Sequence, residues 1–186
     1  MEDPPTPVQS LAGFLIGAHP GLADPNFNKT VVLLSAHTQE DGALGIIINR
    51  PTGQTLENFR TDLPTPFLRN LPVYEGGPVS TSELLLVGWR WNLASQNFRL
   101  FFGMEPDKLQ ELVNADPTIE ARAFLGYAGW TAGQLEAEVS RFDWAISPFV
   151  HPFGKLSPST LWRHFLEEVR PEWSILADFP DDPSVN

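Results

Sequence analysis

Residues 21–51 constrain the fold of this chain more than any other stretch. Two short apolar runs, Val31 to Leu34 and Ala43 to Ile48, are separated by a polar turn and closed by Asn49-Arg50-Pro51. Runs this short, rich in β-branched residues and bounded by Gly, Asp and Pro, predict strands covered on both faces. The short connection over Thr38 to Asp41 predicts that strands Thr30–His37 and Gly42–Asn49 form an antiparallel hairpin. Asp24, His37, Asn49 and Arg50 stand at the ends of these runs and form a candidate polar rim.

The rest of the chain builds around that hairpin. Leu11 to Ile16 predicts a strand before it, with His19-Pro20-Gly21 and Asp24-Pro25-Asn26 as turns between. Residues 51–72 carry Pro51, Pro64, Pro66 and Pro72 and predict a loop with one helical turn around Leu56 to Phe59. Val73-Tyr74-Glu75 leads into a sharp turn at Gly76-Gly77-Pro78. Glu83 to Trp89, Asn97 to Phe102 and Thr118 to Leu125 predict further strands. Pro106 suits a first helical position, and Leu109, Leu112 and Val113 follow as one apolar stripe. Thr131 and Gln134 form a capping-box pattern ahead of Leu135, Val139 and Phe142. Ser157-Pro158 opens a last helix whose stripe is Leu161, Trp162, Phe165, Leu166 and Val169. Helices come late and without β-α-β-α alternation, which predicts an α+β fold rather than a doubly wound parallel sheet.

Composition sets the outer bounds. The 186 residues suffice for one domain with a sizeable core, here supplied by 13 Phe and 6 Trp. We expect a single domain over 10–177, a flexible leader at 1–9 and an acidic tail at 178–186. A formal net charge of −11, with 12 basic residues and no basic run, argues against direct DNA binding and against anionic membranes. The absence of cysteine removes disulfides, thiol catalysis and thiolate metal sites. The acidic, Pro-rich start does not fit a signal peptide, and no apolar run reaches a membrane span, so the expected location is cytoplasmic.

No residue set declares a reaction. Ser35 and His37 are two apart on a strand, roughly 6.5 to 7 Å along it, beyond the reach of a base for its nucleophile. His19, His37, His151 and His164 show no ligand spacing; only a set assembled from distant residues, such as His19, Asp24 and His37, could hold a metal. We therefore expect no cofactor and no metal. Gly42 to Gly45 and Gly126 to Gly133 fit no phosphate-loop fingerprint. Trp89-Arg90-Trp91 could stack bases, but two Trp on one strand face more commonly belong to a core. Glu136 and Glu138 read as a solvated helix face, with Glu138 near Arg141. Arg50, held extended by Pro51, reads as an anion site or a bridge to a carboxylate.

One resemblance covers nearly the whole chain from Leu11. Pro20, Leu22, Asp24-Pro25, Phe27, Val31-Val32, His37, Gly42-Ala43, Gly45 and Asn49-Arg50-Pro51 resemble the bacterial YqgE/AlgH family, whose members carry a label of transcriptional regulators. Gly76-Gly77-Pro78-Val79, Gly126-Tyr127-Ala128-Gly129-Trp130 and Gly133-Gln134-Leu135-Glu136 extend the match in order. The resemblance implies a branched, mostly antiparallel sheet curled into a pseudo-barrel with helices packed outside. It brings no agreed catalytic residues. The chain departs from the usual pattern at Ala36, where many members carry Glu, and at Ser35, where some carry Cys.

The expected function is non-enzymatic, through a protein partner or small ligand. The candidate surface is Asp24, His37, Asn49, Arg50, Gly76, Gly77 and Trp130. The alternative is a hydrolase or transferase using His37 with Asp24 and Arg50, which requires those side chains to converge on one pocket.

Overall fold

In the computed structural model, residues 10–92, 95, 97–149 and 156–177 are described. The leader 1–9, the tail 178–186 and His151 lie outside them. Among the described residues nine strands form one sheet: β1 (Phe14–Ala18), β2 (Val31–Thr38), β3 (Gly42–Ile47), β4 (Pro51–Thr55), β5 (Pro72–Glu75), β6 (Val79–Asn92), β7 (Asn97–Phe102), β8 (Glu120–Trp130) and β9 (Trp144–Pro148). The α-helices among the described residues are α1 (Pro66–Arg69), α2 (Pro106–Ala115), α3 (Gln134–Ser140), α4 (Pro158–Val169) and α5 (Pro171–Leu176).

The predicted hairpin is present: β2 and β3 pair antiparallel, with a register shift between Leu34 and Ala36. The main path runs β4-β5-β8-β3-β2-β1-β9. It branches at β8, whose first half pairs with β6 on one side and with β5 on the other, while its last three residues pair with β3. The β5–β8 pairing is parallel and the others are antiparallel. The sheet curls without closing, and Phe98 of β7 stacks on Phe149 beyond β9, ring centroids 4.1 Å apart. This is the α+β pseudo-barrel that the resemblance implied.

The branch requires two backbones to approach closely. Gly76 N–H donates to Leu125 O at 2.7 Å, and Gly76 O accepts from Ile47 N–H at 2.8 Å, so this one residue joins β8 to the end of β3. A Cβ at Gly76 would lie 2.2 Å from Gly126 O, and Gly126 itself has φ 67°. Only glycines fit this junction.

Three apolar clusters fill the fold. One lies under α4 and α5 and includes Leu33, Trp89, Phe124, Trp162 and Phe165. A second lies under α3 around Val32, Trp130, Leu135 and Trp144. A third packs α1 and α2 on β5, β6 and β8 through Leu68, Leu86 and Leu109. The last helical stripe is as predicted, with Leu161, Trp162, Phe165 and Leu166 buried.

Several expectations are corrected. The stretch 51–72 contains strand β4 and helix α1 as well as the expected turn at Leu56–Asn58, because Pro51 sits at an edge strand where its missing N–H costs nothing. The strand expected over Thr118 to Leu125 is β8, and it runs on through the glycine-rich segment to Trp130. Helix α3 starts after Gly133 in the left-handed region, so Thr131 is not its cap, although Gln134 Oε1 still accepts from Thr131 N–H at 3.1 Å. Phe142 lies beyond that helix and is 63% exposed. Trp89 is buried and Trp91 packs on the first cluster, which removes the stacking platform.

Candidate functional site

Three of the seven candidate residues, Asp24, Asn49 and Arg50, meet around the loop 24–29. Asp-Pro-Asn opens that loop: Asp24 Oδ1 accepts from Asn26 N–H at 2.8 Å, and Asp24 O accepts from the N–H groups of Phe27 and Asn28. The short acidic side chain thus folds onto its own turn. From the exit of β3, the Asn49 side chain accepts from Val31 N–H and donates to Lys29 O, both at 2.9 Å. Arg50 donates to three carbonyls of the same loop, Asn26 O at 2.8 Å, Asn28 O at 3.0 Å and Pro25 O at 3.2 Å. The expected carboxylate bridge is replaced by backbone oxygens, which the extended Arg50-Pro51 backbone brings within reach of the guanidinium.

The loop in turn seats Phe27 on two indoles, 5.9 Å from Trp130 and 5.5 Å from Trp144 by ring centroids. Trp130 is buried and donates from Nε1 to Glu138 Oε2 at 2.8 Å; Trp144 Nε1 donates to the same oxygen at 2.8 Å. Gln134 donates to Glu138 Oε1 at 2.9 Å. Glu138 is therefore an acceptor for the core rather than part of a solvated face, and Arg141 pairs with Asp143 instead.

His37 belongs to a different contact. It is 4% exposed, its Nδ1 accepts from Leu11 N–H at 3.1 Å, and its Nε2 lies 3.0 Å from Glu136 Oε1. These partners assign the proton to Nε2, which donates to Glu136. Ser35 is turned away, its Oγ donating to Leu44 O at 3.1 Å. The distant metal set also disperses. His19 Nδ1 accepts from Gly21 N–H at 3.0 Å and its ring stands edge-on to Trp173, while Asp24 and His37 are engaged as described. Burial lowers the His19 pKa below its ordinary value, with Asp143 opposing the shift.

A cleft of about 300 Å³ lies between the loop and the Gly76 turn, lined by Asn26, Arg50, Glu75 and Thr81 together with Ile47, Pro78 and Leu125. Gly77 also lines it, whereas His37, Asp24 and Trp130 do not. Arg has five N–H donors, and three hydrogen bonds to the loop leave two for a ligand. Glu75 and Thr81 were missed in the sequence, where the signal was only a carboxylate directly before a glycine turn. Glu136 and Glu138 were missed because helical spacing shows which face a residue takes, not which indole or imidazole waits beneath.

An AlgH-like family model matches residues 14–174. A UPF0301 protein of Streptomyces coelicolor is 37% identical, covering 97% of this chain and 98% of its own length. One of Stutzerimonas stutzeri is 42% identical over 73% of this chain and 75% of that protein. The solution structure of AlgH from Pseudomonas aeruginosa superposes with a TM-score of 0.55 at 31% identity, covering 95% of this chain and 89% of that one. A crystal structure of a Corynebacterium diphtheriae protein has TM-score 0.66 at 20% identity, covering 94% and 95%, and is similar in fold.

Proposed function

The chain belongs to the AlgH-like family, and on that footing we propose that it acts by binding a small ligand in the Arg50 cleft, without catalysing a reaction. The observation that carries this reading is the presence of Arg50 and Glu75 in the lining of one small cleft that also carries Ile47, Pro78 and Leu125. Pockets for small molecules characteristically combine an apolar lining with a few placed polar groups. The preferred ligand carries a carboxylate or similar anion for Arg50 and a donor, such as an amine, for Glu75. The domain would span residues 10–177, act in the cytoplasm and exert any effect on transcription through the ligand or a protein partner rather than by gripping DNA.

The geometry favours binding over the hydrolase or transferase reading. An enzyme of that kind needs His37, Asp24 and Arg50 on one reacting atom, yet His37 and Asp24 are absent from the cleft lining, both ring nitrogens of His37 are engaged elsewhere and Asp24 Oδ1 accepts from its own turn.

A thermal-shift screen tests this with amino acids, small carboxylic acids, nucleotides and coenzymes, on wild type and Glu75→Gln. A ligand at about 100 times its dissociation constant stabilises the folded protein by roughly 2.7 kcal/mol. A shift in wild type that falls away in Glu75→Gln supports the cleft. No shift with any compound, or one equally large in the variant, overturns it.

A further inference from the structure

A second site stands on the β6–β7 hairpin. The register places Arg90 directly opposite Arg99 and Asn92 directly opposite Asn97. Side chains two apart on a strand share a face, so the four form a rectangle of two arginines and two asparagines. The opposite face of the same hairpin carries Trp89 against Leu100 and Trp91 against Phe98, and it packs on the core. The register of the core therefore forces the arginines together. Like charges directly opposite on paired strands repel, and nothing in the packing requires arginine at both positions.

One carboxylate answers the pair. Arg90 Nη1 donates to Asp116 Oδ2 at the end of α2. The other oxygen of Asp116 is taken by Thr118, from its N–H at 3.1 Å and its hydroxyl at 2.6 Å. Both oxygens of Asp116 are thus engaged. Arg99 is exposed and has no ion pair among the described residues, and Arg90 Nε has no acceptor. A cavity of about 120 Å³ lies among Arg90, Asn92, Asn97 and Arg99, with Ser95 at its edge. Both arginines line it; Asp116 balances Arg90 from outside the lining, and Arg99 is left as the unbalanced positive charge, in a chain whose net charge is −11.

We propose that this face of the β6–β7 hairpin is a phosphate-binding site, taking one phosphate group between Arg90 and Arg99. A carboxylate, with two oxygens, is satisfied by one guanidinium fork. Two forks on facing strands call for a tetrahedral oxyanion with acceptors on both sides. The small cavity holds the phosphate group alone, so its source is either inorganic phosphate or a phosphorylated small molecule whose remainder projects into solvent. The site is independent of the Arg50 cleft.

The test is an NMR titration of the ¹⁵N-labelled full chain with sodium phosphate at constant ionic strength, using chloride as the balancing salt. Wild type, Arg99→Gln and Asp116→Asn are compared, and a second arm uses adenosine monophosphate. The expected result is saturable shifts confined to the amides and arginine Nε–H signals of residues 90–99. Affinity should fall at least tenfold in Arg99→Gln and rise in Asp116→Asn, which frees Arg90. Equal affinity for the two probes assigns free phosphate, and tighter binding of the nucleotide assigns a phosphorylated molecule. Non-saturating shifts spread over the surface, or the same affinity in wild type and Arg99→Gln, overturn the site.

Discussion

Glu138 offers the sharpest test of how the candidate region is held. Replacing it with alanine removes the acceptor of Trp130 Nε1 and Trp144 Nε1, on residues that are 4% and 3% exposed. A buried donor left without a partner costs about 1–3 kcal/mol, so two give roughly 2–6 kcal/mol. The Gln134 amide is exposed and adds little. Against a total stability of about 5–15 kcal/mol this is a large loss, and at roughly 2–4 °C per kcal/mol it lowers Tm by at least ~4 °C. Glu138→Gln keeps one acceptor oxygen and should lose less than half as much. Urea unfolding followed by far-UV circular dichroism measures each variant, with unchanged m-values as the check on two-state behaviour. In a Trp130→Phe, Trp144→Phe background the indole donors are gone, and Glu138→Ala should then cost almost nothing. An equal loss in both backgrounds, or a loss under ~0.5 kcal/mol in wild type, refutes the indole clamp.

His37→Ala strands Leu11 N–H and one Glu136 oxygen, and should cost about 2–4 kcal/mol while the Leu11 amide exchanges faster with deuterium; unchanged exchange at Leu11 would count against the contact. Asp116 has its pKa lowered first by the Thr118 hydroxyl and N–H, then by Arg90. A depressed carboxylate stabilises the fold above its unfolded value of about 3.9 and loses that contribution as pH falls through the lower folded value. The acid limb of Tm against pH should therefore be shallower in Asp116→Asn, and an identical limb would contradict the bond. Gly76→Ala sets a Cβ 2.2 Å from Gly126 O, so it should destabilise by more than ~3 kcal/mol or prevent folding, read by circular dichroism of the purified protein.

Strands β1 to β3 and β6 to β8, helices α2 to α4 and the hairpin were legible because each is a local pattern: a short β-branched apolar run in β2, apolar i, i+3, i+4 spacing in α4, a short turn between β2 and β3, whereas β9 and α5 were not foreseen. The branch at β8 was not. Its cause is a tertiary approach, Gly76 against Gly126, which a Gly-Gly-Pro triplet shows only as a turn. Strand β4 escaped because its residues Pro51–Thr55 lack apolar alternation and take their place from pairing with β5. The polar rim was legible as a group of unusual residues at strand ends, but not as clamps. Asp24, Asn49 and Arg50 converge on one loop because β3 ends where that loop passes, while His37 points to α3. The carboxylates that complete the region, Glu75, Glu136 and Glu138, come from segments distant from the hairpin.

Arg50 is where loop position and the proposed ligand meet. One planar group fixes three loop carbonyls and also lines the cleft, so an anion bound by its remaining donors would hold the guanidinium and the loop together. Lysine separates the two roles. Its single ammonium has three donors at one point and cannot span Pro25 O, Asn26 O and Asn28 O while also facing the cleft. Arg50→Lys should therefore fold with a loss of about 1–3 kcal/mol, expose the loop to proteolysis and abolish the ligand-induced thermal shift. Phe27 would also leave Trp130 and Trp144, which tryptophan fluorescence reports directly. A variant that kept the full ligand response while its loop became protease-sensitive would show that the cleft reads its ligand without the guanidinium. One that lost the response with an intact loop would place Arg50 on the ligand alone.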